Sequence, residues 1–133
     1  MQFELEKGKT FRGLIDESQK GLYYKHLRIV ISNMADNGRA LVVPISTVHS
    51  KTQLYDKSCV LRKGEHSFLT EEKSYAFYAR AEALSQRDLD ELARHNKLIV
   101  YEDVSPELLQ RLQDGARNSD QLPEYLMKYF DEF

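Results

Sequence analysis

The sequence predicts a mainly β protein, with a small antiparallel sheet curled into a barrel and helices appended after it. Short runs rich in β-branched residues recur through the first half of the chain. Helix start and stop signals, by contrast, are concentrated after residue 84. We therefore expect one domain over residues 1–133, with the barrel in residues 1–84 and a mostly helical part in residues 85–133.

Apolar runs in the first half predict the strands of this barrel. The pair Asn37-Gly38, between the second and third runs, predicts a tight hairpin. A further run at 74–84 is rich in alanine, but Tyr75, Phe77, Ala79 and Ala81 alternate with Tyr78, Arg80 and Glu82 at a roughly two-residue period. This alternation favours a strand that ends in a turn at Leu84-Ser85. Five or six short strands with a hairpin are typical of an SH3-like barrel. The other runs are KTFRGLI (9–15), LRIVISN (27–33), RALVVPI (39–45) and KSCVLRK (57–63).

The first predicted helix follows the barrel directly. Ser85 can cap the run QRDLDELARHN, and Asp88 at the third helical position can complete a capping box. The next run, NKLIVYED at 96–103, is short and apolar, and it predicts one more strand.

Two more helices are predicted towards the C-terminus. Ser105 as the N-cap, Pro106 in the first turn and Gly115 as the stop signal predict a helix over residues 105–114. Pro123 repeats the start signal, and apolar residues then recur at steps of three and four. This spacing predicts an amphipathic helix that covers the barrel or a partner subunit.

Composition excludes several classes of protein. Hydrophobic residues make up 41% of the chain and charged residues 30%, so we expect neither disorder nor a membrane span. The N-terminus lacks the basic-then-apolar layout of a signal peptide. The single cysteine, Cys59, excludes an internal disulfide, fits a reducing cytoplasm and is expected to be a buried structural thiol.

Charge and motifs narrow the chemistry. Residues 1–65 carry a net charge of +4 and residues 66–133 a net charge of −6, so a polyanion, if one binds, is expected on the first half. The acidic half can equally consist of solvated helix faces. The chain has no Gly-rich phosphate loop, no metal-ligand spacing of histidine and cysteine, and no nucleophile elbow. We therefore expect no cofactor and no metal.

Polar side chains at strand ends and in loops form the candidate site. Two imidazoles beside an arginine suit metal-free phosphodiester cleavage, because one group accepts the proton of a 2′-hydroxyl and another donates one to the leaving oxygen. The arginine then stabilises the charge that develops on phosphorus. The candidates for this site are His26, Arg28, Ser46, Thr47, His66 and Ser74. His49 and His95 are expected to be surface residues.

The stretches HLRIVISN, RALVVPIST and KSYAFYARAEALSQRDL resemble the MazF/PemK family of toxin ribonucleases. In that family an arginine precedes a β-branched strand, a hairpin leads to a strand ending in a hydrophobic-Thr/Ser step, and a serine opens a later strand. The resemblance places Arg28 at the catalytic arginine, Ser46 at the site threonine and Ser74 at the serine. It covers about residues 8–92 and rests on pattern and spacing.

The resemblance implies cleavage of single-stranded RNA without a metal, a homodimer, and a small antitoxin protein as a partner. Tyr75 or Tyr78 would be available to stack on a base, although tyrosines in a small β domain more often pack in the core or at its rim. The chain departs from the family at Ile29, where a proline is usual, and at Ala79 and Arg80, where an acid and a glutamine are usual.

The missing acid leaves two hypotheses open. In the first, His26 and His66 supply the proton chemistry and the protein is an endoribonuclease. In the second, the chain is a non-catalytic SH3-like module that binds a nucleic acid or a protein, because a fold can persist after its activity is lost. Ala79 favours the second hypothesis, and the two loop histidines favour the first.

Overall fold

The computed structural model describes residues 3–13, 26–95 and 97–133. Within them the chain forms seven strands, all of them paired antiparallel. The predicted mainly β fold with appended helices is confirmed. The strands are β1 (Thr10–Gly13), β2 (Arg28–Val30), β3 (Arg39–Thr47), β4 (Val60–Arg62), β5 (Lys73–Ala76), β6 (Glu82–Ser85) and β7 (Leu98–Tyr101).

The sheet is organised around the long strand β3. The strand order is β4-β5-β3-β2-β1-β7, and β6 pairs with β3 outside this path. The first part of β3 pairs with β2 and β6, whereas its last residues, 45–47, pair with β5. β3 therefore pairs with three strands along its length. Among the described residues no pairing joins the edge strands β4 and β7, so the sheet is not closed.

The predicted strand elements are found with changed bounds. The run at 74–84 is not one strand, because a 3₁₀ helix at Tyr78–Arg80 separates β5 from β6. β6 then runs to Ser85 without the predicted turn, so that β3 pairs with two successive strands of this run. The run at 96–103 supplies β7, which pairs with β1 at the edge of the sheet. Residues 14 and 15, predicted as the end of the first strand, lie outside the described residues.

The described residues contain two α-helices, α1 (Gln86–Arg94) between β6 and β7, and α2 (Pro106–Asn118) after β7. The predicted capping box is present at α1, where the Ser85 hydroxyl accepts from the Asp88 N–H and the Asp88 carboxylate accepts from the Ser85 N–H. Ser105 caps α2 in the same way, by accepting from the Leu108 N–H.

The prediction that Gly115 ends this helix was wrong, because α2 continues to Asn118. Gly115 serves close packing instead. A Cβ at this position would collide with the Tyr78 hydroxyl oxygen and would lie 2.9 Å from the Cys59 Cβ. The residue is a glycine because α2 approaches the sheet too closely for a side chain.

The C-terminal segment forms a 3₁₀ helix at Glu124–Glu132 rather than the predicted amphipathic α-helix. Its apolar residues Leu122, Leu126 and Tyr129 are buried in the main core. The segment therefore covers the chain's own core, which was one of the two predicted possibilities.

Two apolar clusters lie on opposite sides of β2 and β3. The larger one includes Ile29, Val43 and Ile45, together with apolar residues of α2 and the C-terminal segment. The smaller one includes Val30, Val42 and Leu89 of α1. The alternation along each strand thus assigns every side chain to one side or the other. No helix in the described part of the chain is long and apolar enough to cross a membrane.

Candidate functional site

Arg28 and Ser46 lie on the same face of the sheet. Arg28 in β2 is directly opposite Pro44 in β3, and Ser46 follows two positions later. Opposed residues, and residues two apart in a strand, project from the same face. We call this the Arg28 face. The other side is called the core face, because Ile29 and Ile45 pack there in the larger cluster.

Arg28 is held by an ion pair with Glu82. Glu82 in β6 is opposite Val42, two residues before Pro44, and therefore also projects from the Arg28 face. The Arg28 Nη1 donates to the Glu82 Oε1 over 2.7 Å. The Arg28 side chain is only 2% exposed, whereas that of Glu82 is 29% exposed. A buried guanidinium needs such a carboxylate, because removing it from water uncompensated costs several kcal/mol, roughly 3–5.

A hollow of about 450 Å³ adjoins this ion pair. Its floor is apolar and includes Phe11, Leu89 and Leu92. A second arginine, Arg39, also lines the hollow. It donates to the Ala83 carbonyl over 3.1 Å and lies 3.5 Å from an oxygen of Asp88. The hollow thus has an apolar floor and two cationic side chains at its walls, and each of these cations lies beside a carboxylate.

An aromatic row extends from Ser46 across the Arg28 face. Tyr75 in β5 is directly opposite Ser46, and the Phe77 N–H donates to the Pro44 carbonyl over 2.8 Å. The ring centroids of Tyr55 and Tyr75 are 5.1 Å apart, and those of Tyr75 and Phe77 are 5.4 Å apart. We define the aromatic row as Tyr55, Tyr75 and Phe77. Tyr75 is buried in the middle, and the two outer rings are half-buried.

His26, Thr47 and Ser74 do not join Arg28. Thr47 and Ser74 are opposite each other and alternate with Ser46 and Tyr75, so they project from the core face. There they line a hollow of about 440 Å³ together with His26. The residues predicted to form one site with Arg28 are therefore divided between the two faces of the sheet.

His66 has both ring nitrogens engaged. Its Nδ1 accepts from the Phe68 N–H over 3.0 Å, so a neutral ring carries its proton on Nε2. Nε2 lies 2.8 Å from the Glu102 carbonyl oxygen, to which it donates. Thr10 bonds the same carbonyl from β1. The side chain is almost fully buried. These contacts argue against the predicted proton-transfer role, and they make His66 a tie between a turn and the sheet.

Tyr78 is a core residue and offers no ring surface for the predicted base stacking. Its side chain is fully buried and its hydroxyl donates to the Leu112 carbonyl of α2 over 2.7 Å. Burial raises the pKa of this hydroxyl far above its ordinary value. Cys59 is also buried, and burial raises the pKa of its thiol to about 11, as befits the structural thiol expected from the sequence.

Sequence reasoning missed Glu82, Tyr55 and Phe77. Phe77 belongs to the same two-residue period as Tyr75, and that period was the available signal for it. Nothing local marks Glu82 or Tyr55, because their neighbours come from strands or loops distant in the chain. Within the described residues, no group of three histidine, cysteine, aspartate or glutamate side chains is arranged to hold a metal ion.

No protein-family model matches the chain, and no significant match is found among curated proteins.

Proposed function

We propose that the protein is a metal-independent endoribonuclease of the MazF/PemK toxin type, built on an SH3-like barrel and acting on single-stranded RNA. The observation that supports this proposal is the buried Arg28 beside a hollow, on the same face as Ser46 and held by a partly exposed carboxylate. A phosphate group is a suitable alternative partner for this guanidinium, because its oxygens match the planar fork of donors.

The proposed reaction uses the RNA's own 2′-hydroxyl as the nucleophile. The 2′-oxygen attacks phosphorus, its proton passes to the Glu82 carboxylate, and the bond from phosphorus to the 5′-oxygen breaks. The leaving oxygen receives a proton from solvent, and a 2′,3′-cyclic phosphate remains. Arg28 stabilises the negative charge that develops on the phosphoryl oxygens, and the Ser46 hydroxyl donates a hydrogen bond to one of them. Glu82 thus takes the role of general base that the sequence suggested for a histidine.

The test is incubation of the purified protein with single-stranded RNA in EDTA. We expect cleavage that leaves a 2′,3′-cyclic phosphate and that stops when the 2′-hydroxyl is methylated at the cut site. Arg28→Lys, which keeps the charge but lacks the planar fork, and Ser46→Ala should both lower the rate. Arg94→Gln is the matched control, since Arg94 pairs with Glu91 on an exposed helix end. Cleavage that survives 2′-methylation would refute the mechanism.

The second candidate is a non-catalytic module that binds RNA or a protein partner. The contacts of His66 favour it, because they withdraw one of the two predicted proton carriers from chemistry. Full binding of RNA with no cleavage, under conditions where the folded protein is stable, would select this candidate.

The proposed assembly is a homodimer restrained by a small antitoxin protein. The C-terminal aromatic residues that were expected to form its interface are largely used within the chain, although Tyr125 and Met127 remain exposed. Sedimentation at micromolar concentration tests the dimer, and a species of 15.5 kDa alone would refute it.

A further inference from the structure

The aromatic row continues into a surface that carries three exposed lysines. Tyr55, Tyr75 and Phe77 line a groove of about 710 Å³. Tyr55 and Lys57 also line a neighbouring hollow of about 450 Å³, where Lys51 and Lys73 lie. We call the aromatic row and these three lysines together the aromatic–lysine surface.

The groove has an accessible apolar edge. Leu54 lies in it with 97% of its surface exposed. Tyr55 and Phe77 are half-buried, so each ring keeps accessible surface. Exposed apolar and aromatic side chains grouped in one groove are typical of a binding site rather than of an ordinary polar surface.

The charge of the lysine end favours an anionic partner. Among the described residues that line the hollow of Lys51, Lys57 and Lys73, Glu72 carries the one carboxylate. The Lys57 Nζ lies 5.5 Å from the centroid of the Tyr55 ring, which places a cation directly beside an aromatic platform. Of the other carboxylates in the groove, Asp56 is buried and bonded to the Ser119 hydroxyl, whereas Asp120 is exposed.

The surface is continuous with the Arg28 face. Tyr75 is directly opposite Ser46, and Phe77 is bonded to Pro44, which is itself opposite Arg28. Lys73 projects from the same side as Tyr75, because the two residues are two apart in β5. An extended ligand that lies across Arg28 and Ser46 would therefore contact the aromatic row next and the three lysines after it.

We propose that the aromatic–lysine surface binds the part of a single-stranded RNA that flanks the phosphate at Arg28. Unstacked bases pack on Tyr55 and Phe77, and the lysines contact the phosphates that join them. Stacking platforms together with basic side chains are how proteins hold single strands, and a duplex would keep its bases stacked on one another. This inference rests on the proposed function for the position of the reacting phosphate, but not for the binding itself.

Binding is measured with a fluorescently labelled 2′-O-methyl RNA of twelve uridines, which the proposed reaction cannot cleave. Tyr55→Ala should weaken its binding by about tenfold, whereas Tyr55→Phe, which keeps the ring, should bind like the unchanged protein. Lys51→Gln, Lys57→Gln and Lys73→Gln should each reduce the slope of log K against log salt by about 0.7. Lys7→Gln is the control, because Lys7 is an exposed lysine in the turn before β1.

The outcomes separate this inference from the proposed function. Binding that depends on the row, with no cleavage of unmodified RNA, supports the surface and refutes the nuclease. Cleavage with unchanged binding in Tyr55→Ala and in the lysine variants refutes the surface. A duplex of the same length that binds equally well would also refute it, as would a protein partner that occupies the surface while RNA does not bind. The lysine variants change exposed side chains only, so they remain informative if Tyr55→Ala does not fold.

Discussion

Two polar side chains that the sequence marked as candidates, His66 before β5 and Arg28 in β2, differ in what surrounds them. His66 and Arg28 are both buried polar side chains next to β-structure. The His66 Nδ1 accepts from the Phe68 N–H, and its Nε2 donates to the Glu102 carbonyl. Both partners are backbone groups, whose positions are fixed by the fold. Arg28 pairs with the side chain of Glu82, which is partly exposed and adjoins a hollow.

This difference in partners indicates which of the two side chains can bind a ligand. A backbone partner is fixed by the fold, so the side chain that binds it holds structure together. The Glu82 carboxylate is partly exposed, so a phosphate that enters from the hollow can replace it as the anionic partner that the buried guanidinium needs. We therefore propose that His66 contributes to stability and that Arg28 acts in binding and catalysis.

The largest expected effect is that of Arg28→Gln on RNA cleavage. Removal of one donor that faces the developing charge should lower the rate by about 10²–10³, or about 2.7–4 kcal/mol of transition-state stabilisation. Single-turnover cleavage in EDTA measures it, with circular dichroism to verify folding. An unchanged rate in a folded variant would remove Arg28 from the site and end the contrast with His66.

His66→Ala tests the other side of the comparison. It should lower the free energy of unfolding by about 1–3 kcal/mol, because it leaves buried groups without their partner. The cleavage rate of the folded variant should stay within a factor of two or so. His95→Ala, at an exposed helix end, is the matched control and should change neither quantity. A loss of about 10²–10⁴ in rate at unchanged stability would instead restore His66 as an acid or base.

Tyr78→Phe should have a smaller effect, of about 0.5–1.5 kcal/mol on the free energy of unfolding. It removes the hydroxyl that bonds the Leu112 carbonyl, but this carbonyl keeps its place in the hydrogen-bond ladder of α2. Urea denaturation measures the change. RNA binding should be unaffected, and weakened binding by a folded variant would show that Tyr78 contacts RNA after all.

Signals within a few residues of each other in the sequence were enough to predict the helices and most strands. The errors arose where the structure depends on residues that are distant in the chain. Capping at Ser85 and Ser105 depends on side chains a few positions away, so α1 and α2 were predictable. Gly115 was misread as a helix stop because its reason is the approach of Tyr78 and Cys59, which lie far away in the chain. The break at Tyr78–Arg80 likewise allows β3 to pair with both β5 and β6, a tertiary demand with no local signature.

The candidate site was predictable only in part. Residue type and the two-residue period are enough to group Arg28 with Ser46, since both lie on regular strands. They cannot assign His26, which precedes β2 in an irregular segment and lines the hollow on the core face. They also cannot reveal Glu82 as the partner of Arg28, because β2 and β6 are distant in the chain and each pairs with β3.

The smallest expected effect concerns Glu102, whose carboxylate accepts hydrogen bonds from Ser67, the residue that follows His66. Hydrogen bonds from the Ser67 hydroxyl and N–H hold the pKa of this carboxyl at about 2, below its ordinary value of 4.5. Because the pKa is lower in the folded state, the contribution of Glu102 to stability is present above about pH 4.5 and is lost as the pH falls towards 2.

Glu102→Gln should therefore flatten the dependence of the free energy of unfolding on pH between about 4.5 and 2, and leave cleavage near neutral pH unchanged. Urea denaturation across this range measures it, with Glu107→Gln as the control at an exposed carboxylate in the first turn of α2. The variant keeps an oxygen that can accept from Ser67, so the change in slope reports the charge rather than the loss of a contact. If the slope were the same in both proteins, the carboxylate would not be held by Ser67. A fall in the cleavage rate of Glu102→Gln would instead show that Glu102 contributes to catalysis.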